Sequence, residues 1–194
     1  MAVYKFSNAG GFGNITRYND FLAGNPAVIQ DAGAYFPLGE FTLASAQSSV
    51  TFSNIPQTYT HLQLRILTSG SGGYSRMRFN GSSATAYAGH YLYGNGASVF
   101  AGAETSGDAI NFGNFPNSST SFGAYIVDIL DYTSTNKNKT TRALEGYDLN
   151  GSGLVLMHSG VWYATPTAIT SITVLPNSST YNINSHFALY GVLA

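Results

Sequence analysis

His61-Leu62-Gln63-Leu64-Arg65-Ile66 alternates apolar with polar residues, so an extended chain puts Leu62, Leu64 and Ile66 on one side and the polar residues on the other. Ser75-Arg76-Met77-Arg78-Phe79 repeats the device, with Met77 and Phe79 inward and arginines between core residues. Period-two patterning of this kind marks a half-buried antiparallel sheet. Phe122-Gly123-Ala124-Tyr125-Ile126-Val127-Asp128-Ile129-Leu130 is the most apolar run and reads as a central strand. Outward from these, further strands are predicted at Glu40-Phe41-Thr42-Leu43, at Val50-Thr51-Phe52, and over 87–93, 109–112, 143–147, 154–162, 169–175 and 186–192. Asn80-Gly81, Asn95-Gly96 and Asn150-Gly151 are hairpin dipeptides that tolerate positive φ, and Gly70-Ser71-Gly72-Gly73 reads as a flexible loop tip. Roughly ten short strands with no long helical period between them give an all-β protein: an antiparallel β-sandwich, jelly-roll or related Greek-key form. Parallel βαβ architecture is excluded, because no segment is long enough to hold the crossover helices.

Composition agrees. The 194 residues suit one domain, and only 9% are charged, against 44% hydrophobic and 14% aromatic. Eight Lys+Arg against nine Asp+Glu leave a formal charge of −1, so there is no basic field to hold nucleic acid. Near-zero charge also removes the repulsion that keeps monomers apart, which points to a homo-oligomer. With no cysteine, cohesion comes from packing and subunit contacts. The N-terminus has no apolar signal region, and no stretch is long enough to span a membrane as a helix, so no membrane partner is expected.

Residues 1–38 read as an extended N-terminal arm, glycine-rich with isolated aromatics and no sustained period, ahead of a sandwich domain over 39–194. A short helix is predicted near 17–23, with Thr16 as its N-cap and Gly24-Asn25-Pro26 ending it. Tyr4, Phe6, Phe12, Tyr18, Phe21 and Leu22 are the anchoring side chains, on a neighbouring subunit or larger scaffold. The alternative is that such rings cover an open end of the chain's own sandwich.

Few residues suggest chemistry. His61, His90, His158 and His186 lack the local spacing of a metal site, and there is no nucleophile elbow and no phosphate-binding loop. The acid pairs Asp128/Asp131, Glu145/Asp148 and Glu104/Asp108 are the only carboxylate sets a glycosidase reading could use. Asp148, Asn150 and Ser152 copy the first half of a calcium loop, yet Ser159 stands where the bidentate glutamate belongs, so the segment reads as a turn. Neither a metal ion nor a cofactor is expected. Lys137, Lys139 and Arg142 read as a solvated basic turn, the alternative being salt-bridge contact with an acidic neighbour. Tyr87, Tyr91, Tyr93, Trp162 and Tyr163 are candidates for surface or glycan contact, although most such rings in a tyrosine-rich sandwich serve packing or subunit contacts.

Several stretches taken together carry a resemblance. Tyr4-Lys5-Phe6-Ser7-Asn8, Thr16-Arg17-Tyr18, Leu22-Ala23-Gly24-Asn25, Ser49-Val50-Thr51-Phe52 and Tyr59-Thr60-His61-Leu62-Gln63-Leu64-Arg65 begin it. Phe79-Asn80-Gly81, His90-Tyr91-Leu92-Tyr93-Gly94, Asp128-Ile129-Leu130-Asp131-Tyr132, Gly146-Tyr147-Asp148, Ser159-Gly160-Val161-Trp162 and Phe187-Ala188-Leu189-Tyr190-Gly191 continue it. In order and number these resemble the small virion structural proteins of tailed bacteriophages, especially marine ones. The resemblance implies a jelly-roll-like sandwich displayed on the particle, without catalysis, assembled in the bacterial host cytoplasm. The leading expectation is a capsid decoration or cement protein, trimeric, held by its arm to the major capsid protein. The alternative is a tail-associated fibre or tip protein, docked on a tail adaptor, whose loops contact the host surface.

Overall fold

Twelve strands follow one another along the chain: β1 (Tyr35–Thr42), β2 (Val50–Phe52), β3 (His61–Thr68), β4 (Ser71–Phe79), β5 (Tyr87–Gly94), β6 (Val99–Gly107), β7 (Ile110–Asn117), β8 (Gly123–Leu130), β9 (Lys139–Asp148), β10 (Gly153–Trp162), β11 (Ile172–Pro176) and β12 (His186–Val192). The computed structural model describes residues 34–164 and 166–193. Eight strands form one sheet in the order β1-β12-β3-β8-β9-β10-β5-β6, and four form the other in the order β2-β11-β4-β7. Every strand pairing is antiparallel. The protein is an all-β antiparallel sandwich, as the alternation in the sequence required.

The topology is that of a jelly roll carrying additions. Without β1, β12 and the β9–β10 hairpin, the sheets reduce to β2-β11-β4-β7 and β3-β8-β5-β6, and the chain passes between them as a double Greek key does. The β9–β10 hairpin is inserted between β8 and β5 and widens the large sheet, while β12 and β1 extend its other side. Leu62, Leu64, Val127 and Ile129 from the large sheet meet Met77, Phe79, Ile110, Phe112, Ile172 and Val174 from the small one, all essentially without solvent contact. Rings close both ends of this core: Phe79, Tyr87 and Trp162 at one, Phe115, Tyr181 and Phe187 at the other.

Four local readings change. Residues 35–38, assigned to the arm, lie in β1, where Tyr35 pairs with Val192 across a ladder that runs to Thr42 and His186. Ser71-Gly72-Gly73 is the start of β4, paired with Asn117 and Phe115 of β7. Glycine is needed there for space: a Cβ on Gly73 would sit 2.5 Å from Asn177 Oδ1 and 3.3 Å from the Phe115 ring. β6 was not anticipated, because Ala101-Gly102-Ala103 is too small and uniform to show a period; pairing with β5 makes it a strand. Asn80-Gly81 turns the chain from β4 to β5, which lie in different sheets, so it is a crossover turn and not a hairpin. Asn95-Gly96 and Asn150-Gly151 do close hairpins, β5–β6 and β9–β10. The helix predicted near 17–23 lies outside the described residues.

Candidate functional site

Register determines what the large sheet shows on its outer side. One row across neighbouring strands runs Leu67, Ala124, Gly146, Val155, Gly94, Val99. The next, two residues along each strand, runs Arg65, Ile126, Leu144, Met157, Leu92, Ala101. Val155 is 60% exposed, Met157 54% and Leu144 52%, and Leu67, Ile126, Leu92 and Val99 are exposed with them. A sandwich normally turns polar residues outward at such positions. Here the apolar side chains are contiguous across six strands, a patch of the kind that marks an interaction surface.

A polar margin borders it. Gln63 Nε2 donates to Asp128 Oδ1 at 2.8 Å, Arg142 Nη2 donates to Asp128 Oδ2 at 2.8 Å, and Arg65 Nε donates to Gln63 Oε1 at 2.9 Å. The Arg65 guanidinium lies over the Tyr35 and Tyr190 rings, 4.9 and 5.0 Å from their centroids. The charges beside the stripe are therefore already partnered within the subunit. Small residues at Ala124 and Gly146 leave a shallow hollow of about 500 Å³ in the face, walled by Leu67, Ile126, Leu144 and Val155.

The sequence reading did not single out this face. Leu154-Val155-Leu156-Met157 is apolar on both sides of the strand, and that doubled apolarity was the available signal.

On the inner side of the same sheet, the aromatic candidates separate. Tyr87 and Trp162 stack in the core with ring centroids 6.0 Å apart, and both are buried, so the expectation that they contact a ligand is corrected: they fill the end of the sandwich. Tyr91 lies on Gly102, and Tyr93 stacks on Phe100 at 4.7 Å, where β5 and β6 extend toward the sheet's edge. Tyr163 follows β10, half exposed, its hydroxyl donating to the Thr85 carbonyl. Tyr91, Tyr93 and Phe100 thus form a partly exposed aromatic row, and Phe100 is a member that the sequence reading missed.

Beside that row, His158 is buried on β10 and reaches over Gly89 toward Glu104, with Nε2 3.8 Å from Glu104 Oε2. Asn111 Nδ2 donates to Glu104 Oε1 at 2.6 Å. The neighbouring His158 ring and the Asn111 amide donor together hold the Glu104 carboxyl below the usual glutamate range. The three side chains join β10, β6 and β7, tying the overhanging β5–β6 hairpin to the small sheet.

The carboxylates paired in the sequence meet separate partners in the fold. Glu145 is buried facing inward, accepting the Asn114 N–H at Oε2 (2.7 Å), while its other oxygen has no hydrogen-bond partner. Burial pushes this carboxyl up to about 8. Asp148, its sequence neighbour in the pair, instead accepts the Gly151 N–H within the hairpin turn. Asp128 binds Gln63 and Arg142, Asp131 binds Lys137, and Asp108 binds Arg76 and Arg78.

Asp148, Asn150 and Ser152 form a tight turn in which the Leu149 N–H donates to the Ser152 carbonyl at 2.6 Å, with Asn150 and Gly151 both at positive φ. Among the described residues no group of three or more His, Cys, Asp or Glu side chains could hold a metal ion. The basic turn is only partly solvated. Lys139 is buried, donating to the Ser134 and Lys137 carbonyls, and this corrects the reading of all three residues as a solvated cluster. Its buried ammonium is compensated by these carbonyls of the β8–β9 loop. Tyr4, Phe6, Phe12, Tyr18, Phe21 and Leu22 lie outside the described residues.

Compared with protein-family models, with curated proteins and with solved structures, the chain finds no match in any of the three.

Proposed function

We propose that this chain is a non-enzymatic assembly subunit of a tailed-bacteriophage virion, a capsid decoration or cement protein held to the major capsid protein by its N-terminal arm. The observation that carries the assembly part is the outer face of the large sheet, apolar over six strands and bordered by charges already paired within the subunit. Such a surface suits a subunit whose working state is associated. The virion part rests on the motifs that resemble those structural proteins. Purified virions tested by immunogold electron microscopy decide the location: label spread over the head supports decoration, and absence of label from particles sinks the virion reading. Deleting residues 1–33, which leaves β1 intact, is expected to abolish attachment to particles, and unchanged occupancy would remove the arm from the anchoring role.

The second reading, a tail-associated fibre or tip protein contacting host-surface glycans, is favoured by the Tyr91, Tyr93 and Phe100 row beside Glu104 and Asn111. Label confined to the tail, together with glycan binding lost in Tyr93→Ala, supports it over decoration.

A further inference from the structure

We propose that a second copy of this chain covers the outer face of the eight-stranded sheet, sheet against sheet about a two-fold axis along the β9–β10 seam. The inference rests on the reading of the chain as an assembly subunit and names the partner of that surface.

Three observations carry it. The first is polarity. Along β9 and β10 the inward positions include Thr141, Glu145 and His158, whereas the outward ones include Leu144, Val155 and Met157. The hairpin gives Ala143, Leu156 and Trp162 to its own core and still turns this second apolar set to the outside, an arrangement that is favourable only if something apolar lies on it. The second is size. Six strands about 4.8 Å apart, each about eight residues long at ~3.3 Å per residue, present roughly 700 Å² of sheet face, close to the ~800 Å² per partner of a stable interface.

The third is self-complementarity. A two-fold axis parallel to the strands over the β9–β10 seam sets β9 against β10, β8 against β5 and β3 against β6, and it keeps every row opposite the same row of the other copy. Because the pairing from β3 through β8, β9 and β10 to β5 runs without a bulge, the rows stay aligned across the seam. Val155 of each copy then enters the hollow above Gly146 of the other, Leu144 meets Met157, and Ile126 meets Leu92. In the polar row Asp128 comes opposite His90. Aligned face packing of two twisted sheets is an ordinary sandwich geometry. The stripe places no unpaired charge at the centre of the contact, and the chain's formal charge of −1 adds almost no repulsion between copies.

The test is the association state of the full-length chain, by sedimentation velocity and light scattering over a wide dilution series. A dimer is expected. Leu144→Lys and Leu92→Lys, on different strands of the stripe, each place an ammonium in the apolar contact and are expected to weaken association about a hundredfold. Ile183→Lys, an equally exposed apolar position away from the sheet face, is expected to leave association unchanged. Circular dichroism checks that each variant is folded, and Leu144→Thr, which keeps a strand-favouring side chain, serves if a lysine variant fails to fold. A monomer at all concentrations overturns the inference and leaves the face to residues 1–33 or to a partner of different chemistry. A trimer, or a dimer indifferent to the stripe variants, overturns it equally. Particle labelling is a separate readout: a dimer that no virion carries defeats the virion reading alone, and a labelled virion with a monomeric chain defeats this inference alone.

Discussion

The β3–β8 pair and the β9–β10 hairpin belong to one sheet, yet they place their polar residues differently. In β3 and β8 the inward residues are almost all apolar, Leu62, Leu64, Ile66, Val127 and Ile129 among them, with Gln63, Arg65 and Asp128 outward beside Leu67 and Ile126. In β9 and β10 the inward side mixes Thr141, Glu145 and His158 with Ala143, Leu156 and Trp162, and the outward side mixes Leu144, Val155 and Met157 with Arg142 and Ser159. The first pair behaves as a sandwich strand should, burying apolar area worth about 25 cal/mol per Å². The inner side of the hairpin lies against β7, so some of its inward positions are polar: Glu145 accepts the Asn114 N–H there. The difference teaches that the hairpin's conformation is fixed by pairing on both sides, while its polarity serves two interfaces, one within the subunit and one outside it.

The largest test of this comparison is electrostatic. Glu145 titrates in the folded protein near 8, above its ordinary value of 4.5, so the folded state holds its proton more tightly than the unfolded chain does. Its unfavourable contribution is absent below pH 4.5, grows as pH rises toward 8 and levels off above it. Between pH 4.5 and pH 9 it amounts to on the order of 4 kcal/mol. Urea unfolding of the wild type and of Glu145→Gln across that range should therefore show a gap that widens with pH in favour of Gln, and a pH-independent gap would show that the carboxyl is not held in a desolvated site.

The next effect belongs to the conventional pair. Leu64→Ala empties a fully buried site and should cost about 3 kcal/mol by urea unfolding at neutral pH. If it costs no more than an outer-face truncation, the assignment of inner and outer sides is wrong.

Smaller is the clasp at the β5–β6 overhang. Glu104→Gln weakens the contact with His158, with an expected loss of up to about 1 kcal/mol at neutral pH, since Glu104 is partly solvated. Because its folded carboxyl titrates low, this contribution is present above the ordinary glutamate range and disappears as pH falls through it and below. Chemical unfolding at neutral and acidic pH checks the sign: the wild type and the variant should converge in acid.

Smallest is the outer face itself. In protein diluted below its association constant, Leu144→Ala should change unfolding stability by less than about 0.5 kcal/mol, because the side chain is half exposed there. The same substitution should act on association when the protein is concentrated. A large cost in dilute protein would mean that a segment of the same chain already covers Leu144.

Much of the fold was legible from residue to residue. Period-two alternation located β3 and β4, a continuous apolar run located β8, and the Asn-Gly dipeptides located two hairpin turns, since these signals are local. β6 was missed because Ala101-Gly102-Ala103 has no side-chain contrast to read, and Ser71-Gly72-Gly73 was misplaced because glycine signals a loop in sequence but here gives room for Phe115 and Asn177. Of the residues expected to contact a ligand, Tyr87 and Trp162 went to the core, since an aromatic in a strand carries the same local signature whether it fills a sandwich end or stands on its surface.

The sequence by itself determined the class of the fold, because alternation and turn chemistry are properties of neighbouring residues and survive in any all-β arrangement. Only the tertiary structure decided which side of the β9–β10 hairpin faces the core. A strand with apolar residues on both sides names no inner face, and the choice came from the long-range pairing that set it between β8 and β5, under β7. That same pairing buried Glu145 and left Leu144, Val155 and Met157 facing outward.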